Sequence, residues 1–247
     1  MNTQNNGRSR RLDCDLLVIG SGASGLAAAV TAASQGLKVI VVEKHATFGG
    51  ATAWSGGWLW VPGNPLAKRA GIDEDPQQPR TYLKNELGSR YNAERVDAFL
   101  DNAPRMVAFF EENTALKWVD GNGIPDIHGH VPGAAVQGHQ VIAAPYDARH
   151  MGRLIRRMRK PMRETSFLGM PIMAGPDLAA FLSMTQSLKS FIHVSKRFLR
   201  HLRDLALHGR AMHLVNGQAL VARLAKSAVD LGVTLRSEEH TSELQSQ

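Results

Sequence analysis

Hydrophobic and polar positions change period several times along the chain. Residues 15–19 carry a short apolar run, Leu16-Leu17-Val18-Ile19, the pattern of a strand buried on both faces. Gly20-Ser21-Gly22-Ala23-Ser24-Gly25 follows, and residues 26–35 are alanine-rich and helical, closed by Gly36 in the manner of a C′ glycine. Residues 38–42 form a second buried strand with Glu43 at its carboxyl end. Together they predict a complete βαβ unit.

Beyond it the pattern is looser. Residues 48–57 form a glycine-dense loop, and 58–65 read as extended because prolines prevent regular structure. Residues 78–88 and 92–113 predict helices, the second interrupted at Pro104. Residues 116–119 suggest a short strand. Residues 121–145, rich in Gly, Pro and His, predict a long irregular segment of the kind that carries function. After a further irregular stretch at 161–176, residues 177–186 and 188–207 read as helices. In the second, Leu188, Phe191, Ile192, Phe198, Leu199, Leu202 and Leu205 form an apolar stripe opposite Lys196, Arg197, Arg200 and Arg203. That pattern suits a helix packed on its neighbours. Residues 218–231 make another amphipathic helix, with Gly232 and a beginning strand after it.

Composition narrows the class. The 247 residues are 43% hydrophobic, enough for one sizeable core or a large domain and part of a second. No apolar run reaches the roughly 18 residues of a membrane span. Residues 1–12 read as a polar, disordered leader without a signal-peptide pattern. The formal charge of +7 is concentrated in 149–163 and 196–210, which suits anionic ligands. No aromatic interleaving accompanies it, so nucleic acid is not an expected partner. Cys14 is the single cysteine, which excludes an intrachain disulfide and fits a reducing, cytoplasmic setting.

The chemistry begins at Gly20-x-Gly22-x-x-Gly25. Gly20 permits a tight turn, Gly22 lets the backbone approach a pyrophosphate, and Gly25 allows close packing of helix on strand. The helix N-terminus offers unpaired N–H groups to the anion. Glu43 is placed to accept hydrogen bonds from a ribose 2′-hydroxyl and disfavours a 2′-phosphate. This unit alone does not separate FAD from NAD.

The next loop does. Glu43-Lys44 followed by Gly49-Gly50-x-Thr52-x-x-Ser55-Gly56-Gly57 resembles the FAD-dependent oxidoreductase 2 family, the fumarate reductase and 3-ketosteroid Δ1-dehydrogenase flavoproteins. Trp60-x-Pro62, Pro145-Tyr146-Asp147-x-Arg149-x-x-Gly152 and Asn216-Gly217-x-Ala219-Leu220 extend the resemblance, which covers residues 13–235. It implies an α/β fold: a Rossmann-like FAD-binding domain with a parallel sheet, plus the first part of an inserted, mainly helical substrate/cap domain. The implied boundaries are 13–120 for the first part of the FAD-binding domain, 121–210 for the cap and 211–235 for the return. The implied FAD contacts are Gly20, Ser21, Gly22, Ala23, Ser24, Gly25, Glu43, Lys44, Gly49, Gly50, Ala51, Thr52, Ser55, Gly56 and Gly57.

The resemblance implies an enzyme that moves a hydride between flavin N5 and a C–C bond beside a carbonyl or carboxylate. Its substrate would be a small ketone, steroid-like or carboxylate compound, with an electron partner the sequence does not name. Where the ketosteroid enzymes carry their first catalytic tyrosine, Pro125-Asp126-Ile127-His128 has none. His128, His130, His139 and Tyr146 are the candidate catalytic or substrate contacts, with surface histidines the alternative; Arg149 suits an anion or a structural ion pair. With no cysteine nearby, no metal is expected. The first eleven of residues 236–247 can be back-translated into a sequencing-library adapter in frame, and the twelve are set apart as a non-native tail, with a genuine polar helical tail the alternative. That makes the chain an expected N-terminal part of a longer enzyme. The alternatives are a truncated FAD-binding fragment without activity and an NAD-linked Rossmann dehydrogenase.

Overall fold

The computed structural model describes residues 12–237. All of the expected leader but Leu12, and all of the expected tail but Arg236 and Ser237, lie outside the described residues. β1 (Leu16–Ile19) leads through the glycine turn into α1 (Ala23–Ser34) and β2 (Val39–Glu43), with Leu16 opposite Val39 and Ile19 opposite Val42 in parallel register. A short 3₁₀ turn at Ala51–Trp54 precedes β3 (Trp58–Trp60), and three helices follow, α2 (Pro65–Arg69), α3 (Gln77–Leu87) and α4 (Ala93–Asn113). Next come β4 (Trp118–Asp120), β5 (Gln140–Ala143), β6 (Tyr146–Asp147) and a 3₁₀ segment at Ala148–Arg157. A small hairpin, β7 (Ser166–Phe167) and β8 (Met170–Pro171), leads to α5 (Pro176–Leu182) and α6 (Leu188–His208). β9 (His213–Leu214), α7 (Asn216–Asp230) and β10 (Thr234–Ser237) complete the order.

The parallel sheet runs β1-β2-β10, with β2 central. β10 pairs Thr234 with Ile40 and Ser237 with Glu43, so the strand runs two residues into the stretch set apart as a tail. Backbone ladders are blind to the origin of a sequence. An antiparallel sheet, β3-β5-β4, stands beside it, and β6 pairs with β9.

α7 joins these layers. Leu220, Val221, Ala222, Leu224 and Ala225 are all buried, in one core with Leu26, Ala29 and Val30 of α1 and with Val141 and Ala143 of β5. The expected one-sided helix is therefore buried nearly all round. Small residues on α1 make the close approach possible: Ala29 has no exposure, and a larger side chain there would hold the helices apart.

Four expectations are corrected. β1 is not covered on both faces: Val18 is buried, but Leu17 is 54% and Ile19 83% exposed among the described residues, because α1 and α7 cover only one side. α4 continues through Pro104. The lost hydrogen bond and ring clash cost about 3 kcal/mol, but burial of Val96, Ala103, Val107 and Phe110 on both sides holds the helix, and Asn92 caps it through Arg95 N–H at 3.0 Å. The segment at 121–145 holds β5, the buried middle strand of its sheet, between the preceding strand β4 and the distant β3. α6 keeps its apolar stripe largely open, with Leu188 75% and Leu199 65% exposed, while Val194, His201 and Asp204 are buried. Ion pairs turn that face inward: Asp177 takes Arg197 at 2.7 Å and Asp204 takes Arg149 at 2.7 Å.

Among the described residues no helix is long and apolar enough to cross a membrane, and no cluster of His, Cys, Asp or Glu is arranged to hold a metal.

Candidate cofactor site

The site grows from the turn after β1. Gly20 sits at φ +96° and its N–H donates to Val42 O at 2.7 Å, locking the turn to the neighbouring strand. A Cβ on Gly25 would overlap the Gly20 carbonyl oxygen and press on Val18 Cγ1, so only glycine lets α1 start this close to the sheet. Gly22 is the N-cap of α1 and brings no side-chain acceptor of its own. Thr52 supplies one instead: its Oγ1 accepts the Ala23 N–H at 3.0 Å from across the second loop. The N–H groups of Ser24 and Gly25 remain in the first turn, where a helix has no acceptors of its own. They point an anion site at the loop mouth.

Glu43 ties the turn to the second loop. One carboxylate oxygen accepts from the Ser21 hydroxyl at 2.5 Å and the Ser21 N–H at 3.1 Å, and the other accepts from the His45 N–H at 2.9 Å. Ser21 Oγ in turn accepts the Gly49 N–H at 3.0 Å. Partial burial pushes the Glu43 carboxyl up, but the Ser21 and His45 hydrogen bonds and the charge of Arg159 outweigh it and hold it below its ordinary value. The clasp is therefore complete above the ordinary glutamate pKa of about 4.3 and is lost only as the pH falls through the lowered folded value. A carboxylate has about four lone-pair sites, so a ribose hydroxyl can add to this set. Glu43→Ala is expected to release Ser21 and weaken FAD binding about tenfold, as for loss of one charge-assisted hydrogen bond. Titrating the flavin-free chain with FAD checks it; an unchanged Kd would show that the carboxylate does not grip the ligand.

The second loop is fastened by α7. Gly49 and Gly57 have φ +118° and +73°, and a Cβ on Gly57 would come within 2.5 Å of the Asn216 carbonyl carbon. Gly217 N–H donates to Ser55 O at 3.2 Å, and Gln218 Nε2 donates to Ala53 O at 3.1 Å and Arg159 O at 2.9 Å. Arg159 lies over the Trp54 ring at 4.4 Å and donates to Gly50 O at 3.4 Å. Gln218 and Arg159 were missed from sequence, because neither belongs to a glycine motif and both act on the loop from remote segments. Gly50 abuts Gly22: a Cβ there would meet Gly22 Cα at 3.3 Å, so the two glycine loops form one continuous cradle. Ala51, Ser55 and Gly56 lie exposed along its second loop, and Lys44 is exposed beside Glu43.

The candidate catalytic residues scatter. His128 is exposed and pairs with Glu86 at 2.8 Å, with exposed His130 nearby. His139 is 1% exposed, held between Glu74 and Asp126 at 2.9 Å each, and meets the Trp60 ring edge-on. Trp60 Nε1 donates to the same Asp126 carboxylate at 2.7 Å. Tyr146 is buried beneath the Arg223 guanidinium, and its burial raises the phenol pKa. Arg149 bridges Asp147 and Asp204, a structural ion pair.

A βαβ turn, a carboxylate clasping that turn from the end of the second strand and a second glycine–hydroxyl loop against the helix N-terminus define a flavin-dinucleotide-binding protein. The FAD binding domain family matches residues 15–247, and the chain belongs to it, with FAD as cofactor. It is 42% identical over 92% of its length to 4-oxocyclohex-2-ene-1-carboxylate 5-dehydrogenase of Sinomonas cyclohexanicum, covering 38% of that protein. It is 40% identical over 60% of its length to 3-oxosteroid 1-dehydrogenase of Mycolicibacterium smegmatis, covering 26% of it. Its fold matches the 3-ketosteroid Δ1-dehydrogenase of Sterolibacterium denitrificans, solved with 1,4-androstadiene-3,17-dione, at TM-score 0.79 and 29% identity over 90% of this chain and 40% of that one. The chain thus spans less than half the length of these relatives.

Proposed function

We propose that the chain is the cofactor-binding portion of an FAD-dependent dehydrogenase that desaturates a C–C bond beside a ring carbonyl, in the cytoplasm. The carrying observation is the continuous cradle in which Glu43 clasps Ser21, Ser21 holds Gly49 and Thr52 caps the start of α1. Residues 13–120 and 211–235, with β5 paired into their sheet, are assigned to the FAD-binding domain and the rest of 121–210 to a substrate cap. Bound FAD supplies the hydride acceptor. The chain's own residues hold the diphosphate with backbone N–H groups, fix the ribose with Glu43 and brace the flavin end of the loop with α7.

Of the substrate classes in this family, a cyclic keto acid is favoured over a steroid. The 42% relative, matched over nearly the whole chain, acts on an oxocyclohexene carboxylate, and Pro125-Asp126-Ile127-His128 offers no tyrosine. The test is to purify the chain, remove free ligand and record the visible spectrum, then add 4-oxocyclohex-2-ene-1-carboxylate without oxygen. Bound flavin that bleaches with the keto acid and not with androst-4-ene-3,17-dione is the expected result. A colourless chain that takes up no added FAD overturns the cofactor reading, and bleaching by the steroid alone overturns the substrate class.

A further inference from the structure

A cavity of about 790 Å³ lies between α5, α6 and the β6–β9 ribbon, within the size range of small-molecule sites. Its walls are apolar where Met173, Ala180 and Val215 face it. Val215 is followed directly by Asn216, whose backbone packs against Gly57 at the flavin end of the second loop. Asn216 is held at φ +57° and its Nδ2 donates to Ile172 O at 2.9 Å, next to Met173. One short stretch of chain therefore forms both the cavity wall and the support of that loop.

Two polar groups in this cavity have no bond to make within the described residues. His213 on β9 spends its backbone on Asp147 of β6, but its imidazole accepts and donates no hydrogen bond among them. Lys189 is exposed at the rim without an ion-pair partner. Their neighbours are spoken for: Asp177 takes His193 at 2.8 Å and Arg197 at 2.7 Å, and Arg197 also donates to Pro171 O. We infer that this cavity receives the substrate, a compact cyclic ketone bearing a carboxylate, with His213 donating to a substrate oxygen inside and Lys189 meeting the carboxylate at the rim.

The charge state fits. Burial first, then the Arg197 and Arg200 charges, pushes the His213 pKa down to about 4, so near pH 7 the ring is neutral and keeps one N–H and one lone pair. A neutral donor polarises a carbonyl without adding a second buried cation beside Arg197. The apolar walls suit an alicyclic ring, and the Lys189 and Arg197 charges outnumber that of Asp177, which favours an anionic substituent.

This inference rests on the dehydrogenase reading, and calorimetry on the purified chain separates the two. The probes are 4-oxocyclohexanecarboxylate and its methyl ester, with flavin absorbance recorded on the same sample. The acid is expected to bind saturably and more tightly than the ester. His213→Leu is expected to weaken the acid about tenfold, while His213→Gln, which keeps a donor, retains most of the affinity. Lys189→Glu is expected to weaken the acid about tenfold and leave the ester unchanged. Thermal melts of each variant confirm folding. Equal binding of acid and ester, or parental affinity in a folded His213→Leu chain, overturns the assignment. A colourless chain that still binds the acid through His213 sinks the flavin reading and leaves this one standing.

Discussion

Replacing Gly25 with valine is expected to yield a chain that folds around its core yet purifies without colour. A Cβ at this position overlaps the Gly20 carbonyl oxygen, lies 3.0 Å from the carbonyl carbon and touches Val18 Cγ1. The Gly20 carbonyl is backbone of the turn that aims the first helix, so it cannot swing away as a side chain would. The helix must retreat from the sheet, and the N–H groups of its first turn lose their convergence on the diphosphate. Each hydrogen bond to a charged group contributes about 1.5–3 kcal/mol, so misplacing two weakens FAD by roughly a hundredfold or more. Gly123→Ala is the control, because a Cβ there meets nothing within 4 Å. Fluorescence titration with FAD reads the result. A Gly25→Val chain that binds as tightly as the parent would show that the helix start does not grip the cofactor.

The second large effect falls on stability. His139→Leu removes the imidazole between Glu74 and Asp126, leaving two carboxylates with side-chain exposures of 13% and 1% facing each other. Breaking a buried ion pair from one side costs about 3–5 kcal/mol, or roughly 10 °C in Tm for a chain of this size. Burial pushes the His139 pKa down, but the Glu74 and Asp126 carboxylates more than reverse it, and the net shift is upward. A histidine whose folded pKa lies above its unfolded value of about 6.5 contributes its full stabilisation below that pH and loses it as the pH climbs through the folded value. The gap between parent and variant melts should be widest at pH 6 and narrow toward pH 9. A gap that grows with pH would place His139 in the neutral form.

The cradle was legible where its chemistry is local. Gly20, Gly22 and Gly25 lie within one turn, Glu43 ends the next strand, and the Gly49 to Gly57 loop follows at once; each motif carries its own geometric reason. What braces them was not. Gln218 reaches back to Ala53 from 165 residues away, and no spacing rule announces such a contact. His139 was read as a candidate substrate contact and is instead bonded to Glu74 and Asp126; those partners lie 65 and 13 residues away, so burial between two acids could not be read from a Gly/His-rich stretch. β5 was hidden by the same flanking glycines, and the open face of β1 could not be foreseen because an apolar run carries no record of what covers it. The α4 proline misled because local propensity was outweighed by burial on either side of it.

The bracing of the second loop by α7 also has a consequence in time. Ala53 and Gln218 are joined by a hydrogen bond across 165 residues, so a ribosome exposes both glycine motifs long before their support has been made. Closing so long a loop is entropically slow, and contacts of this range form late. Until then the nascent polypeptide holds only a half-built receptor, and a loop without its brace cannot yet hold the vitamin-derived ligand in place.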